Sequence, residues 1–149
     1  MTATTKRTRA LAQAFYKAST ERDIERAMSF IADDVDWLVQ GPVDVFPFLG
    51  QRWGKEAVRE GYREIARKLE ITGYAVEALL ADGEHAAALI RLSSIIRGTG
   101  RVMSVRTSQF SRFRAGKIVE MRAVIDTYDM VEQTLGPLGV ARPDIEQVA

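Results

Sequence analysis

The sequence predicts an α+β fold in which an antiparallel sheet curls around three N-terminal helices. Apolar residues recur with helical spacing in the first half of the chain and alternate as in strands in the second half. The connections between the strand-like segments are too short to contain crossover helices, so these strands form an antiparallel meander. The 149 residues, 46% of them hydrophobic, suffice for one domain with a substantial core, and we expect a single domain over 1–149.

Three segments have the apolar spacing of amphipathic helices. Asp23 is a suitable N-cap for the second helix, and the pair Asp33-Asp34 ends it. Gly61 lies inside the third helix, where glycine is unfavourable, and therefore indicates close packing. The apolar stripes consist of Leu11, Ala14, Phe15 and Ala18 in the first helix, Ile24, Ala27, Met28 and Ile31 in the second, and Val58, Tyr62, Ile65, Ala66 and Leu69 in the third.

One short strand is predicted between the second and third helices, and four longer strands follow the third helix. Glycine-containing turns at 82–83, 98–100 and 115–116 separate the long strands. The apolar segment 41–50 contains two prolines and two glycines, and is a loop that either folds over a pocket or closes the edge of the core. The predicted strands cover residues 35–40, 74–81, 85–97, 101–113 and 117–127, and a short helix follows from Thr127 to Leu135.

The composition excludes several classes of function. Twenty-one Lys and Arg against 20 Asp and Glu give a net charge of +1, which favours neither nucleic acid nor an anionic membrane as a partner. The chain has no cysteine and a single histidine, His85, so we predict no metal site and no cofactor. Carboxylate, arginine, hydroxyl and aromatic chemistry remain. The N-terminus lacks the pattern of a signal peptide, and we therefore expect a cytoplasmic protein.

The strand 85–97 is apolar on both faces and carries Arg91 in its middle. A guanidinium buried there needs an anionic partner or a ligand. In a trial register without bulges, Arg91 lies opposite Thr107, and its face also carries Ser93 and Asp126. Asp126 is then a partly desolvated general acid or base that Arg91 positions. Two alternatives stay open, since such a pair can simply close the sheet, or Asp126 can cap the helix that follows.

Three segments carry a resemblance to a known family: SFIADDVDW at 29–37, GQRWGKEAVREGY at 50–62 and FRAGKIVEMRAVIDTYDMVEQTLG at 113–136. They resemble the SnoaL-like and ketosteroid-isomerase-like branch of the nuclear-transport-factor-2-like superfamily, and the last segment is the most specific. The resemblance implies a cone-shaped half-barrel, or cystatin-like α+β roll, with an interior pocket. It places the domain core at about 8–135 and a C-terminal tail at 136–149, and it implies a homodimer formed through the outer face of the sheet.

The resemblance carries over to the candidate site only in part. Asp126 falls where SnoaL-like cyclases and limonene epoxide hydrolase keep a catalytic aspartate, and Arg91 falls where that hydrolase keeps an arginine. Ser93 stands where the hydrolase has its second aspartate, and Trp37 replaces its tyrosine, so epoxide hydrolysis is disfavoured. The oxyanion tyrosine of ketosteroid isomerase falls one position from Tyr16, and its general-base aspartate falls near 39–40, so steroid isomerisation is disfavoured as well.

The leading interpretation is an acid-base enzyme of isomerase, cyclase or dehydratase type that acts on an apolar, oxygen-bearing small molecule. Asp126 and Arg91 are its predicted catalytic residues. The alternatives are a non-catalytic ligand-binding or sensing domain and a dimeric interaction module. The predicted substrate-binding residues are Ser93, Thr107, Trp37, Trp53, Tyr16 and Phe110, although Phe110 faces away from Asp126 in the trial register and a tryptophan is more often a core residue.

Overall fold

The structure, a computed structural model, describes residues 1–136. The predicted C-terminal tail at 136–149 therefore lies outside the described residues, except for Gly136. The helices are α1 (Ala3–Thr20), α2 (Ile24–Met28), α3 (Lys55–Lys68) and α4 (Thr127–Leu135). The strands are β1 (Ile31–Gln40), β2 (Gly50–Trp53), β3 (Leu69–Asp82), β4 (His85–Ile96), β5 (Val102–Arg114) and β6 (Lys117–Ile125).

The six strands form one curved, unclosed sheet in the order β2-β1-β6-β5-β4-β3. The prediction of an α+β fold with N-terminal helices packed against a curved sheet is confirmed. Strands β3 to β6 form the predicted meander, in which each strand pairs antiparallel with the next. Two strand pairings were not predicted. Strand β1 pairs parallel with β6, and the short strand β2 pairs antiparallel with β1.

The second helix is shorter than its apolar spacing predicts. It ends at Met28, and Ile31 belongs instead to β1, where it pairs with Ile118. A shift in the β1–β6 register follows Ile31 and leaves Asp33 and Asp34 exposed. Ile31 is almost completely buried in this arrangement, so burial in the sheet overrides the helical periodicity of the sequence.

Helices α1 and α3 cover the inner face of the sheet. The trial register of β4, β5 and β6 is wrong by one residue. Arg91 lies opposite Arg106, whereas Thr107 lies opposite Ile90 and Ile125. Successive side chains of a strand point to opposite faces, so a shift of one residue exchanges the two faces. Ile90 and Thr107 are therefore buried on the inner face, while Arg91 is on the outer face.

Two local features explain this error. The turn after β4 pairs Ile95 with Val102, whereas the trial register pairs Arg97 with Arg101. A β-bulge next to Phe113 then shifts β5 against β6. Neither feature has a sequence signal that distinguishes it from a regular hairpin, because bulges and turns of different length use the same residue types.

The predicted pairing of Arg91 with Asp126 is also wrong. The Arg91 side chain is 50% exposed, and its Nη2 lies 3.4 Å from Oε2 of Glu77. Arg106 donates from Nε to the other oxygen of the same carboxylate, at 2.8 Å. The Arg91 guanidinium is therefore not buried, since the outer face that carries it is solvated.

Strands β1 and β6 are joined on the outer face by a bidentate ion pair. The two terminal nitrogens of Arg122 donate to the two carboxylate oxygens of Asp36, at 3.0 and 2.6 Å. Arg122 and a further hydrogen bond from Gln51 hold the pKa of Asp36 below its usual value, although burial opposes this shift. The ion pair stabilises the parallel contact between β1 and β6.

The apolar residues of the inner face form two clusters with the helices. The first cluster joins α1 and α2 to the sheet and includes Phe15, Met28 and Trp37. The second lies beneath the loop 41–49 and α4 and includes Phe48 and Met130. Both clusters contact Val39 of β1, so they meet near the middle of the inner face.

Replacing Ile90 and Arg91 separately with alanine tests the observed register. Ile90→Ala should lower the free energy of unfolding by about 2–5 kcal/mol, because it leaves a hole in the core. Arg91→Ala should lower it by less than about 1 kcal/mol, because the exposed ion pair with Glu77 contributes little. Urea unfolding of both variants measures the two effects, and a larger effect at Arg91 would contradict the register.

Candidate functional site

A cavity of about 140 Å³ lies between α3 and the inner face of the sheet, where the two apolar clusters meet. Cavities of roughly this volume hold a benzene-sized molecule in other proteins. The loop 41–49 contributes to the wall, since Phe48 and Leu49 line the cavity and also belong to the second cluster. The apolar lining consists of Ile24, Trp37, Val39, Phe48, Leu49, Val58, Ile65, Leu69, Ile71, Leu92, Val105, Ala123, Ile125 and Met130.

Gln109 of β5 gives the cavity a hydrogen-bonding group on its floor. It lies beside Ala123 of β6, and both residues line the cavity. The Tyr16 hydroxyl donates to Oε1 of Gln109 at 3.0 Å. Because this bond uses the amide oxygen, the amide NH₂ group of Gln109 is left to donate to a ligand. Tyr16 thus positions Gln109 from behind the cavity wall.

Two tyrosines add phenol groups to the lining. The Tyr62 ring packs against Trp37 in an edge-to-face arrangement with a centroid distance of 6.3 Å. Burial raises the pKa of Tyr62 to about 12, and the positive charge of Arg22 opposes this rise. Burial likewise raises the pKa of Tyr74, against the opposing effects of Ser19 and Arg22. Both phenols are therefore neutral near pH 7 and able to donate hydrogen bonds to a ligand oxygen.

Arg52 of β2 forms the side of the cavity next to α3. Its terminal nitrogens donate to the Ala57 carbonyl at 3.1 Å and to the Glu64 carboxylate at 3.2 Å. The Arg52 side chain crosses α3 at Gly61, where an added Cβ would lie only 2.7 Å from Nε. This close approach explains why a helix former is absent at position 61. The sequence signal at Gly61 thus reports packing against Arg52.

The cavity lining lacks a carboxylate and an imidazole within residues 1–136. Its polar members are Ser19, Arg22, Arg52, Tyr62, Tyr74, Thr107 and Gln109. These groups are hydroxyls, one amide and two guanidinium groups, so hydrogen-bond donors predominate. Such a lining binds a molecule that is mainly apolar and presents oxygen acceptors.

The structure brings together three of the predicted site residues. Thr107 and Trp37 line the cavity, and Tyr16 reaches it through Gln109. The Thr107 hydroxyl is buried and has no hydrogen-bond partner among residues 1–136, so it is an unused polar group beside the cavity. Trp37 is also a member of the first apolar cluster, so it is both a core residue and a wall of the cavity.

The other five predicted site residues lie away from the cavity. Arg91 and Ser93 occupy outward positions of β4, as the corrected register requires. Asp126 is exposed, and its Oδ1 accepts from the Asp129 N–H at 3.1 Å, so it is the N-cap of α4. Phe110 and Trp53 are 54% and 68% exposed. The predicted catalytic pair is therefore not assembled in this structure, and the capping alternative for Asp126 is the one observed.

Six polar residues of the cavity were outside the predicted site: Ser19, Arg22, Arg52, Tyr62, Tyr74 and Gln109. Gln109 lies two residues from Thr107 and from Ser111, so it shares the face of these buried residues of β5, and a glutamine at such a position is a signal for a polar inner face. Tyr62 fits the apolar stripe of α3 and gives no separate signal. Arg52 could be identified as a cavity residue only from its contact with Gly61, and that contact arises from the packing of β2 on α3.

The described part of the chain offers neither a metal site nor a membrane-spanning helix. Within residues 1–136, the side chains of His, Asp and Glu form no group of three or more that could hold a metal ion. Over the same residues, each helix is either too short or too polar to cross a membrane.

Comparison with protein families assigns the fold to a known group. The family model of the SnoaL-like domain matches residues 12–121. The chain belongs to the SnoaL-like domain family. The resemblance to the SnoaL-like and ketosteroid-isomerase-like branch is thereby confirmed. A comparison with curated proteins gives no match.

Solved structures provide further relatives of this SnoaL-like protein. A "putative isomerase" from Rhodopseudomonas palustris is 40% identical, with a TM-score of 0.74, over 85% of this chain and 93% of that one. An NTF2-like protein of unknown function from Burkholderia pseudomallei is 20% identical, with a TM-score of 0.77, over 85% and 96% of the two chains. TerC, crystallised with polyporic acid, is 19% identical, with a TM-score of 0.75, over 85% and 97%. The last two similarities show the shared fold.

A double-mutant cycle tests the contact between Gly61 and Arg52. Gly61→Ala should lower the free energy of unfolding by about 1–3 kcal/mol, because the new methyl group displaces the Arg52 side chain. In an Arg52→Ala background, the same change should be neutral or stabilising by up to about 1 kcal/mol, since alanine favours the helix. Urea unfolding of the four proteins gives the coupling. An equal cost in both backgrounds would show that the contact does not constrain position 61.

Proposed function

We propose that this protein binds a small, mostly apolar molecule with an exposed oxygen acceptor in the cavity between α3 and the sheet. The observation that carries the proposal is the chemistry of the lining, in which apolar side chains surround a few converging donors. Gln109 is the best-oriented donor, because Tyr16 occupies its amide oxygen. Trp37 and Tyr62 supply aromatic rings to the wall of the cavity.

A second candidate function is catalysis of isomerase or cyclase type, which the 40% identity to the Rhodopseudomonas palustris protein favours. Donors held in an apolar cavity stabilise an oxyanion that forms when a carbonyl compound loses a proton from the neighbouring carbon. Gln109, Tyr62 and Tyr74 would take this role. The lining within residues 1–136 offers no carboxylate or imidazole as base, so this candidate reaction requires a substrate that carries its own basic group to accept the proton.

We propose in addition that the outer face of the sheet joins two copies of the chain. Leu80, Ala87 and Phe110 lie side by side across β3, β4 and β5. Leu80 is 67% exposed and Phe110 is 54% exposed in the single chain. A contiguous apolar row of this kind on a solvated face is typical of a protein interface. The cytoplasmic location and the dehydratase chemistry that the sequence suggests stay predictions.

Filling the cavity tests the proposed binding function. Ala123 lines the cavity beside Gln109, so Ala123→Leu should occupy the space that a ligand needs. Acetophenone, an apolar ketone, is a suitable probe, and its affinity is measured by NMR chemical-shift titration. We expect the substitution to weaken binding by about tenfold or more, equivalent to at least about 1.4 kcal/mol.

Ala75→Leu is the matched control, because it makes the same change in size at an exposed position of the outer face, opposite Arg91 and outside the row of Leu80, Ala87 and Phe110. This variant should bind acetophenone like the unmodified protein. The proposal is wrong if Ala123→Leu leaves the affinity unchanged, or if the two variants lose it equally.

A further inference from the structure

The residue that follows α1 has an unusual backbone conformation. Arg22 has a φ of 60°, and Ala115 is the other non-glycine residue with positive φ among residues 1–136. The Arg22 N–H donates to the Ser19 carbonyl at 3.2 Å, and the Asp23 N–H donates to the Ala18 carbonyl at 2.9 Å. These two bonds define a Schellman motif, in which the left-handed position belongs to Arg22. Glycine usually occupies that position.

An arginine at this left-handed position lowers the stability of the folded protein relative to a glycine. A left-handed conformation brings the Cβ of an L-residue too close to the neighbouring carbonyl oxygen, which glycine avoids. Residues with a strained backbone cluster at functional sites, where the function of the side chain outweighs the cost in stability. The Arg22 side chain lines the cavity, so a role in ligand binding is the first to consider.

The Arg22 guanidinium is at the opening of the cavity, because the residue is exposed to solvent and also belongs to the lining. Its charge acts on the two phenols of the site, since it opposes the pKa rise of both Tyr62 and Tyr74. A cation near two neutral phenols produces a positive potential over the part of the cavity that faces the opening.

The acidic neighbours of Arg22 have other partners. Glu21 forms ion pairs with Lys17 and Arg26. Asp23 accepts from the Arg26 N–H and so caps α2. Within residues 1–136, the Arg22 side chain has no carboxylate as ion-pair partner. Its charge is therefore free to meet an anion that enters the cavity.

We propose that the ligand of the cavity is an apolar organic anion, with its hydrocarbon body between α3 and the sheet and its acidic oxygens at Arg22. The ligand class is narrower than that of the proposed function, on which this inference rests. A carboxylate is the simplest such group, because a guanidinium donates two parallel hydrogen bonds to its two oxygens. The donors Tyr62 and Tyr74 suit the same oxygens, since neutral phenols do not repel an anion.

The experiment compares benzoate with benzamide, which has nearly the same size and shape but no charge. Binding of each compound is measured by NMR titration to the unmodified protein and to the variants Arg22→Gly, Arg22→Lys and Ala115→Gly. Thermal unfolding without ligand gives the stability of each protein. Ala115→Gly is the matched control, because it relieves a positive φ in the β5–β6 turn, away from the cavity lining.

We expect the unmodified protein to prefer benzoate to benzamide. Arg22→Gly should weaken benzoate binding by about three- to tenfold, as loss of a partly exposed charged hydrogen bond implies, and leave benzamide binding unchanged. The same variant should unfold about 2–4 °C higher, because glycine relieves the left-handed strain. Ala115→Gly should also gain thermal stability without any change in binding, and Arg22→Lys should keep the preference for benzoate.

Each other outcome overturns a defined part of the account. Equal binding of benzoate and benzamide to the unmodified protein contradicts the anionic ligand and leaves the proposed cavity function intact. A preference for benzoate that survives Arg22→Gly shows that another group binds the acid. A decrease in the unfolding temperature of Arg22→Gly contradicts the strain argument. Failure of both compounds to bind at millimolar concentration contradicts the inference and the proposed function together.

Discussion

The alternation of side chains along β4, β5 and β6 is the constraint on which the rest of the structure depends. It places Gln109 and Ala123 next to each other on the inner face and keeps Arg91 and Phe110 on the outer face. A shift of one residue would exchange these sets, because the side-chain period of a strand is two. The turn after β4 and the bulge beside Phe113 fix the register, so two short irregular segments decide which residues reach the cavity.

The inner face combines a close-packed core with a space that stays open. Val39 contacts both apolar clusters, and the cavity occupies the region where they meet. Arg52 supports this region from the side, because its guanidinium joins β2 to α3 through Ala57 and Glu64. Tyr16 likewise holds Gln109, so a ligand meets a donor that is already oriented.

Much of the fold could be predicted from the sequence because periodicity and turn residues are local signals. The three N-terminal helices and the meander from β3 to β6 follow from such signals. The parallel contact of β1 with β6 could not be predicted, since it joins segments far apart in the chain, and the ion pair of Asp36 with Arg122 that spans it has no local sequence signal. The end of α2 at Met28 depends on the same long-range pairing.

The candidate site was less predictable than the fold. Thr107, Trp37 and Tyr16 were recognised, whereas Arg91 and Asp126 were chosen on a register that the turn after β4 and the bulge beside Phe113 invalidate. Asp126 has the residue type of a catalytic acid and of a helix cap, and only its hydrogen bond to the Asp129 N–H distinguishes the two. Arg22 could not be identified from the sequence, because its significance depends on a backbone angle.

A crystal structure of the complex with acetophenone tests the central claim, that the inner cavity is the ligand site, most directly. The account predicts the aromatic ring between α3 and the sheet, with the ketone oxygen within about 3.2 Å of the Gln109 amide nitrogen. A probe bound on the outer face beside Phe110, or a cavity closed by its own side chains with the probe excluded, would contradict it.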